Sequence, residues 1–215
     1  MRRDRFFIQE LLVVKIMRAA TLSGEETFAM AILCTYIFLL RLPSECLPIA
    51  VHCSGRPDGC PAALTCKDNT LTLDLKRRKN RPGGSRLTRL CWCRDSPETC
   101  LVHVLGAFVS KFEDGERPFG QWTASKVLER LRGLLADLGI ENARLYRTHD
   151  IRRGHARDLQ QRGASLKEIL SAGEWQSPAF FAYLELEELE RDTVVKATFS
   201  RELRIWRAIK KGVVN

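Results

Sequence analysis

Four side chains between residues 148 and 183 have the types and the order that phosphate chemistry requires. His149 and Arg152 are three residues apart, so on a helix they share one face and can converge on one ligand. Trp175 adds an indole N–H donor, and Tyr183 adds a phenolic hydroxyl. Taken singly, each residue also fits a solvated helix face or an aromatic core. Together, in this order, they favour a phosphate site with a candidate nucleophile beside it.

Arginine and tyrosine have complementary roles at a phosphodiester. A guanidinium holds two phosphate oxygens through its planar fork. A tyrosine hydroxyl is a weak nucleophile at its free pKa of about 10, so nearby positive charge must favour the phenolate. Two arginines would stabilise both the phenolate and the transition state. Arg152 is one of them, and the second must come from elsewhere in the chain.

Short helices joined by tight turns are predicted to position these groups. Gly163 is predicted to end the helix that carries His149 and Arg152. Ser165 and Glu168 form a capping-box pattern for the next helix. Ser177-Pro178 is typical of a third helix start, and Tyr183 falls on that third element.

The preceding chain predicts further helices and one β-hairpin. An amphipathic helix is expected over residues 3–20, and a buried helix is expected from a Ser23/Glu26 capping box to Arg41. Another amphipathic helix is expected over residues 126–138, ended by Gly139. The hairpin has leucines 71, 73 and 75 on one strand, a turn at residues 81–84, and leucines 87 and 90 on the return strand.

Two stretches of the chain resemble the catalytic boxes of the tyrosine recombinases, the phage-integrase-like family. The first is TYIFLLRLPSECLPI, and the second runs through HDIRRGHARDL, GEW and FFAYL. The sequence of the second stretch is most similar to the eukaryotic recombinases of Crypton-type mobile elements. The resemblance implies that Arg41 is the first catalytic arginine, oriented by Glu45, and that Arg152 is the second. It also implies donor roles for His149 and Trp175, where most family members carry His in place of this Trp, and a nucleophilic Tyr183.

The resemblance also implies a catalytic lysine on the hairpin, which would protonate the departing 5′-hydroxyl. Lys79 is the first choice and Lys76 the second, because hairpin registers are uncertain by a residue or two from sequence alone. In the alternative interpretation, most basic residues of the hairpin tip serve only to keep the protein soluble or to contact phosphates without taking part in catalysis. The residues predicted to contact DNA are Lys76, Arg77, Arg78, Arg81 and Arg153.

The implied protein binds double-stranded DNA, works as a homo-oligomer in the nucleus, and uses no metal or nucleotide cofactor for its chemistry. Its implied fold is mainly α with a small antiparallel β-sheet, an α+β class. Residues 23–190 would form the catalytic domain and residues 191–215 a basic tail that docks on a neighbouring protomer. Residues 1–22 would be a helix left from a core-binding domain, for which family members usually use about a hundred residues.

Three alternatives to a recombinase stay open on the sequence. One is a type IB topoisomerase, which uses similar residues, although a large clamp and a long linker are not recognisable. The second is a non-catalytic DNA-binding relic of a mobile element. The third is a zinc-stabilised interaction module.

The net charge of the chain favours a polyanionic partner, and its longest uncharged apolar run is too short to span a membrane. The chain has 35 basic and 26 acidic residues, a net charge of +9. The uncharged apolar run over residues 28–40 is shorter than the roughly 20 residues that a spanning helix needs. The N-terminal residues lack a convincing signal-peptide cleavage site.

The eight cysteines suggest reduced thiols or a metal site rather than a disulfide framework. Cys91, Cys93, Cys100 and His103 fit a four-ligand zinc site in number and type. The single residue between the first two departs from the usual spacing of about two to four. His103 also fits a half-buried helical histidine, so both interpretations stay open. A weaker set lies in a Gly/Pro-containing loop: His52, Cys53, Cys60 and Cys66.

Overall fold

A computed structural model of the chain describes residues 5–52, 60–78, 81–91, 93 and 96–175. Two of the predicted catalytic residues, Lys79 and Tyr183, lie outside these ranges, as does the predicted helix start at Ser177-Pro178. Within the described ranges, no helix combines the length and the apolar character needed to cross a bilayer.

The described residues form six α-helices and one four-stranded sheet. The helices are α1 (Glu10–Leu22), α2 (Glu26–Ile37), α3 (Leu101–Val109), α4 (Ala124–Asp137), α5 (His149–Gln161) and α6 (Leu166–Gly173). The strands are β1 (Ile49–Val51), β2 (Ala62–Lys67), β3 (Thr70–Leu75) and β4 (Ser85–Leu90), in that spatial order. This agrees with the predicted combination of helices with a small sheet.

The sheet is mixed, which corrects the prediction of an antiparallel sheet. β2, β3 and β4 are antiparallel neighbours, but β1 pairs with β2 in parallel. β1 and β2 flank the segment predicted as a loop, and Cys66 lies on β2 rather than in that loop. Both strands contain short apolar runs, but the Gly- and Pro-containing link between them led to the prediction of a loop.

Helix α2 lies at the centre of the main hydrophobic core. Ten consecutive residues of α2, Phe28 to Ile37, are buried, which explains why the helix is apolar on almost every side. α1 and α4 pack their apolar stripes into the same core. The boundary predicted at residue 22 therefore falls between two helices that share one core.

Two predicted helix starts differ from the structure. The Ser23/Glu26 capping box does not form, because the N-cap of α2 is Glu25 and its side chain makes no capping hydrogen bond. α1 begins at Glu10, seven residues later than expected from residue 3. The segment before it runs along α5 instead, where the Ile8 amide donates to the Asp150 carbonyl at 2.9 Å. Gly154 permits this close approach, since a Cβ there would collide with the Ile8 backbone.

The β3–β4 hairpin is confirmed, with Leu87 and Leu90 both on its return strand. Leu71, Leu73, Leu75 and Leu87 are buried, but Leu90 is 55% exposed. Strand side chains alternate between faces, so Leu90 and Leu87 point to opposite sides and Arg89 shares the face of Leu87. Beyond the strands, Arg78 and Arg81 bridge each other, with N···O distances of 3.1 and 3.0 Å.

A partly exposed histidine, His155, joins α5 to α2. The Nδ1 of His155 donates to the Tyr36 carbonyl at 2.5 Å, and the two rings stack with centroids 4.4 Å apart. Burial lowers the pKa of His155 to about 4, although the hydrogen bond to the Tyr36 carbonyl and the charge of Asp158 oppose this shift. The charges of Arg89 and Arg162 lower the pKa further. The imidazole is therefore neutral in the folded protein near neutral pH.

Acid should destabilise the fold through His155. Its folded pKa lies below the unfolded value of about 6.5, so the unfolded chain binds the proton first. The stabilisation is complete above pH 6.5 or so and is lost as the pH falls towards about 4, by roughly 3 kcal/mol in all. Urea unfolding between pH 7.5 and pH 4.5 measures it. A His155→Asn variant should show a shallower pH dependence than the wild type, and equal slopes would contradict this assignment.

Candidate nucleic-acid cleavage site

An unusual turn after α2 presents Arg41. Leu39 is buried with φ +50°, a left-handed conformation that is uncommon for a leucine and often marks a functional site. A five-residue π-helical turn then follows Arg41, over Leu42–Cys46. Glu45, in this turn, accepts a hydrogen bond from the Arg41 amide at 2.9 Å, and its Oε1 lies 3.8 Å from the Arg41 Nη1. The Arg41 side chain remains 31% exposed.

Helix α5 holds His149 and Arg152 in its first turn, as the spacing predicts. Arg152 is 2% exposed, and its Nη2 donates to the Gly173 carbonyl at 2.8 Å. Its guanidinium carbon lies 4.8 Å from the centroid of the Trp175 ring. The carbonyl and the aromatic face together fix the orientation of the guanidinium.

His149 lies within range of the same charges. Burial lowers its pKa to about 4, and the positive charges of Arg152, Arg153 and Arg41 lower it further in that order, against the opposing charge of Glu45. Its imidazole is therefore neutral near pH 7. A neutral imidazole is able both to donate a hydrogen bond and to accept a proton.

The two predicted boxes meet in one small cleft. Arg41 from the first box and Arg152 and Trp175 from the second line the same depression, and the charge of Arg41 reaches His149. The remaining lining residues are Glu45, Arg78, Arg81, Gly173 and Glu174. Four arginines against two glutamates leave the lining positively charged.

Arg78 was predicted to contact DNA, but its side chain is buried in the cleft wall, where it pairs with Glu45 and Glu174. It is 5% exposed, and its Nε and Nη2 lie 3.3 and 3.1 Å from the two carboxylate oxygens of Glu45. Its Nη1 donates to Glu174 at 2.8 Å, and Nη2 lies 3.4 Å from the Leu39 carbonyl. One guanidinium thus joins the hairpin, the turn after Arg41 and the end of α6.

Glu174 was not recognised in the sequence, although it stands in the quoted motif GEW. It caps α6 with φ +48° and accepts hydrogen bonds from Arg78 and from the Ser85 hydroxyl. Burial raises its pKa, but the hydrogen bonds from Ser85 and Arg78 and the charge of Arg81 outweigh burial, and the pKa lies below its usual range. Glu174 is therefore ionised and neutralises part of the charge of the cleft wall.

The other predicted DNA contacts lie at the surface or near it. Lys76 and Arg77 are exposed on the hairpin, and Arg81, also exposed, lines the cleft 3.5 Å from Glu174. Arg153 on α5 is partly exposed and pairs with Asp150 at 2.8 Å. Lys76, the second choice for the hairpin lysine, is therefore accessible to a ligand at this side of the molecule.

The two cysteine groups differ in the structure. The ligand atoms of Cys91, Cys93, Cys100 and His103 all lie within 4.8 Å of one another, and no other such group occurs among the described residues. In the second group, Cys60 donates to the Ala62 carbonyl and His52 pairs with Asp114, while Cys53 falls outside the described ranges.

No protein-family model and no curated protein matches the chain.

Proposed function

We propose that this chain is the catalytic domain of a DNA breaking-rejoining enzyme, a tyrosine recombinase or integrase that acts through a 3′-phosphotyrosyl DNA intermediate. One observation carries the proposal. Arg41 and Arg152, from two distant motifs, line one positively charged cleft together with Trp175, and both charges act on His149. This is the set of donors that the resemblance implies around one phosphodiester.

The two arginines would clamp the non-bridging oxygens of the scissile phosphate. Arg152 suits this role because Gly173 and Trp175 already hold its guanidinium, so little reorganisation is needed when charge develops. Arg41 is the more exposed of the two and lines the same cleft. The indole N–H of Trp175 would assist as a neutral donor.

Tyr183 would attack the phosphorus and displace the 5′-oxygen of the next nucleotide. The phosphorus–tyrosine bond forms as the bond to the 5′-oxygen breaks, leaving a 3′-phosphotyrosyl bond and a free 5′-hydroxyl. Neutral His149 would accept the tyrosine proton. A bound phosphate raises the pKa of a neighbouring imidazole because an anion favours the imidazolium, which makes His149 a better base when DNA is present.

Lys79 would protonate the departing oxygen, with Lys76 as the second candidate. Lys79 follows Arg78 directly in the chain, and Arg78 is anchored to both Glu45 and Glu174. This anchor supports the proposal, since it places Arg78, on the same hairpin, in the cleft wall. The covalent bond keeps the phosphodiester energy, so the reverse attack by a 5′-hydroxyl reseals DNA without metal, nucleotide or ATP.

The proposed partner is double-stranded DNA, bound by a homo-oligomer in the nucleus. The net charge of +9 and the exposed hairpin residues Lys76, Arg77 and Arg81 support a polyanionic ligand. Residues 191–215 remain the proposed docking tail, and they lie outside the described ranges.

Substitution of Arg41 by Ala tests the proposed function. We expect the rate of covalent DNA cleavage to fall by about 10²–10³, because one transition-state donor is lost. The fold should persist, because the Arg41 side chain is partly exposed and its guanidinium lies 3.8 Å from the Glu45 carboxylate, beyond hydrogen-bond distance. The rate is measured on nicked suicide duplexes drawn from a randomised pool, by denaturing gel electrophoresis at saturating protein.

Arg77→Ala is the matched control, because this arginine is exposed on the hairpin. It should weaken DNA binding and reduce the slope of log binding constant against log salt concentration by about one, as expected for the loss of one phosphate contact. The cleavage rate at saturating protein should not change. Equal cleavage rates for wild type and Arg41→Ala would contradict the proposal. DNA retention without any adduct from any variant would instead identify a binding relic.

A further inference from the structure

Three cysteines and a histidine converge at the end of the hairpin opposite its basic tip. Cys91 directly follows β4, Cys93 comes two residues later, Cys100 is the N-cap of α3, and His103 lies in the first turn of α3. The Sγ of Cys91 is 3.0 Å from that of Cys93, 3.3 Å from that of Cys100 and 3.2 Å from the Nδ1 of His103. The Sγ of Cys93 is also 3.2 Å from this nitrogen.

These separations fit ligands around one tetrahedral cation. With Zn–S bonds of about 2.3 Å and Zn–N bonds of about 2.0 Å, a tetrahedral centre places its sulfur atoms about 3.8 Å apart and sulfur and nitrogen about 3.5 Å apart. The observed distances run from 3.0 Å to no more than 4.8 Å and so bracket both values. Three sulfurs and one imidazole are also a common ligand set of structural zinc sites.

Two backbone features of the cluster suit a metal-bound sulfur. The amide of Cys93 donates to the Sγ of Cys91 at 3.3 Å, the kind of backbone hydrogen bond that supports a metal-bound sulfur. Cys100 stands at the N-terminus of a nine-residue helix, where the helix dipole stabilises an anion. A disulfide is a poorer explanation of the cluster, because the Sγ of Cys91 approaches two other sulfurs and a histidine nitrogen, and all four ligand atoms lie within 4.8 Å of one another.

We propose that Cys91, Cys93, Cys100 and His103 bind one structural zinc ion that fastens the end of β4 to the start of α3. The site is separate from the proposed catalytic cleft and supplies none of its chemistry. β4 runs from this metal site to Ser85, whose hydroxyl bonds Glu174 in the cleft wall. The zinc therefore anchors one end of the strand whose other end positions the cleft.

Metal analysis of the full chain tests the proposal. We expect one zinc per chain in native mass spectrometry and elemental analysis after purification without chelator, and full release of that zinc when the thiols are modified by a mercurial. Cobalt replacement should give the visible absorption of a tetrahedral site with thiolate ligands. Strong chelation should lower the thermal midpoint of unfolding, because the ion binds only the folded chain.

Cys100→Ser should lower zinc content several-fold, and Cys66→Ser is the matched control because Cys66 lies on β2 outside the cluster. Should Cys100→Ser fail to fold, the wild-type zinc content and the cobalt spectrum still decide the matter. Three results would overturn the proposal: wild-type protein without zinc, zinc content equal in Cys100→Ser and wild type, or an intact mass showing a disulfide among these cysteines. None of these results bears on the cleavage test of Arg41.

Discussion

Tyr183→Phe should abolish covalent joining to DNA and leave DNA binding nearly unchanged. The substitution removes only the hydroxyl, which is the proposed nucleophile, and keeps the aromatic ring. The positive groups that would hold the DNA, including Arg41, Arg152 and the exposed Arg77, are all retained. Adduct formation on suicide duplexes measures the first effect, and retention of the duplex pool at low salt measures the second.

Tyr146→Phe is the matched control for this experiment. The chain has three tyrosines, and Tyr36 is unsuitable because its hydroxyl donates to the buried Asp158 at 2.6 Å. Tyr146 packs its ring against Phe6 in the core, so loss of its hydroxyl should leave the adduct yield at the wild-type level. If Tyr183→Phe formed as much adduct as Tyr146→Phe, Tyr183 would not be the nucleophile.

Arg78→Met should lower the free energy of unfolding by about 3–5 kcal/mol, because it removes the nearest cation from the buried Glu45 and the partly buried Glu174. Glu45 is 2% exposed and receives two hydrogen bonds from Arg78, and Glu174 receives a third. Methionine matches the length of the side chain but supplies no charge and no donors. Urea unfolding monitored by circular dichroism gives the free-energy difference.

Arg77→Met, one residue away, provides the contrast. Arg77 is exposed, so its replacement should change the free energy of unfolding by no more than about 0.5 kcal/mol. It should instead weaken DNA binding in a salt-dependent way. A similar small loss of stability in both variants would contradict the buried role of Arg78, and its predicted contact with DNA would then be the better account.

The sequence predicts those parts of the fold that depend on local signals. The Ser165/Glu168 capping box forms, and Gly139 and Gly163 follow α4 and α5 with positive φ. The hairpin follows from alternating leucines and a Gly-containing turn, where Gly84 has φ +84° and a Cβ would collide with the Leu75 carbonyl. Each of these features depends on only a few neighbouring residues.

Features that depend on distant partners were not predicted. Arg78 is one of several basic residues in a row, and its burial depends on Glu45 and Glu174, which are remote in sequence. The parallel pairing of β1 depends on β2 across a Gly- and Pro-containing link. The late start of α1 depends on the close approach of Ile8 to Gly154 on α5.

In the candidate site too, local sequence patterns predicted some residues, while those that depend on distant partners were missed. Residue types and order predicted His149, Arg152 and Trp175 as candidates, and the family resemblance added Arg41. The structure brings Arg41, Arg152 and Trp175 into one cleft, and the charges of both arginines act on His149. Spacing alone could not identify Glu174 as the residue that ties the hairpin to the end of α6. Lys79 and Tyr183 stay predictions, since both lie outside the described residues.

Mapping a trapped protein–DNA adduct is the most direct test of the central claim. Wild-type protein is incubated with nicked suicide duplexes, the adduct is digested with protease and nuclease, and the modified peptide is sequenced by mass spectrometry. We predict a nucleotide joined through its 3′-phosphate to Tyr183, together with a released strand that carries a 5′-hydroxyl. An adduct at another residue, a 5′-phosphotyrosyl bond, or no adduct from protein that retains the DNA would contradict the assignment.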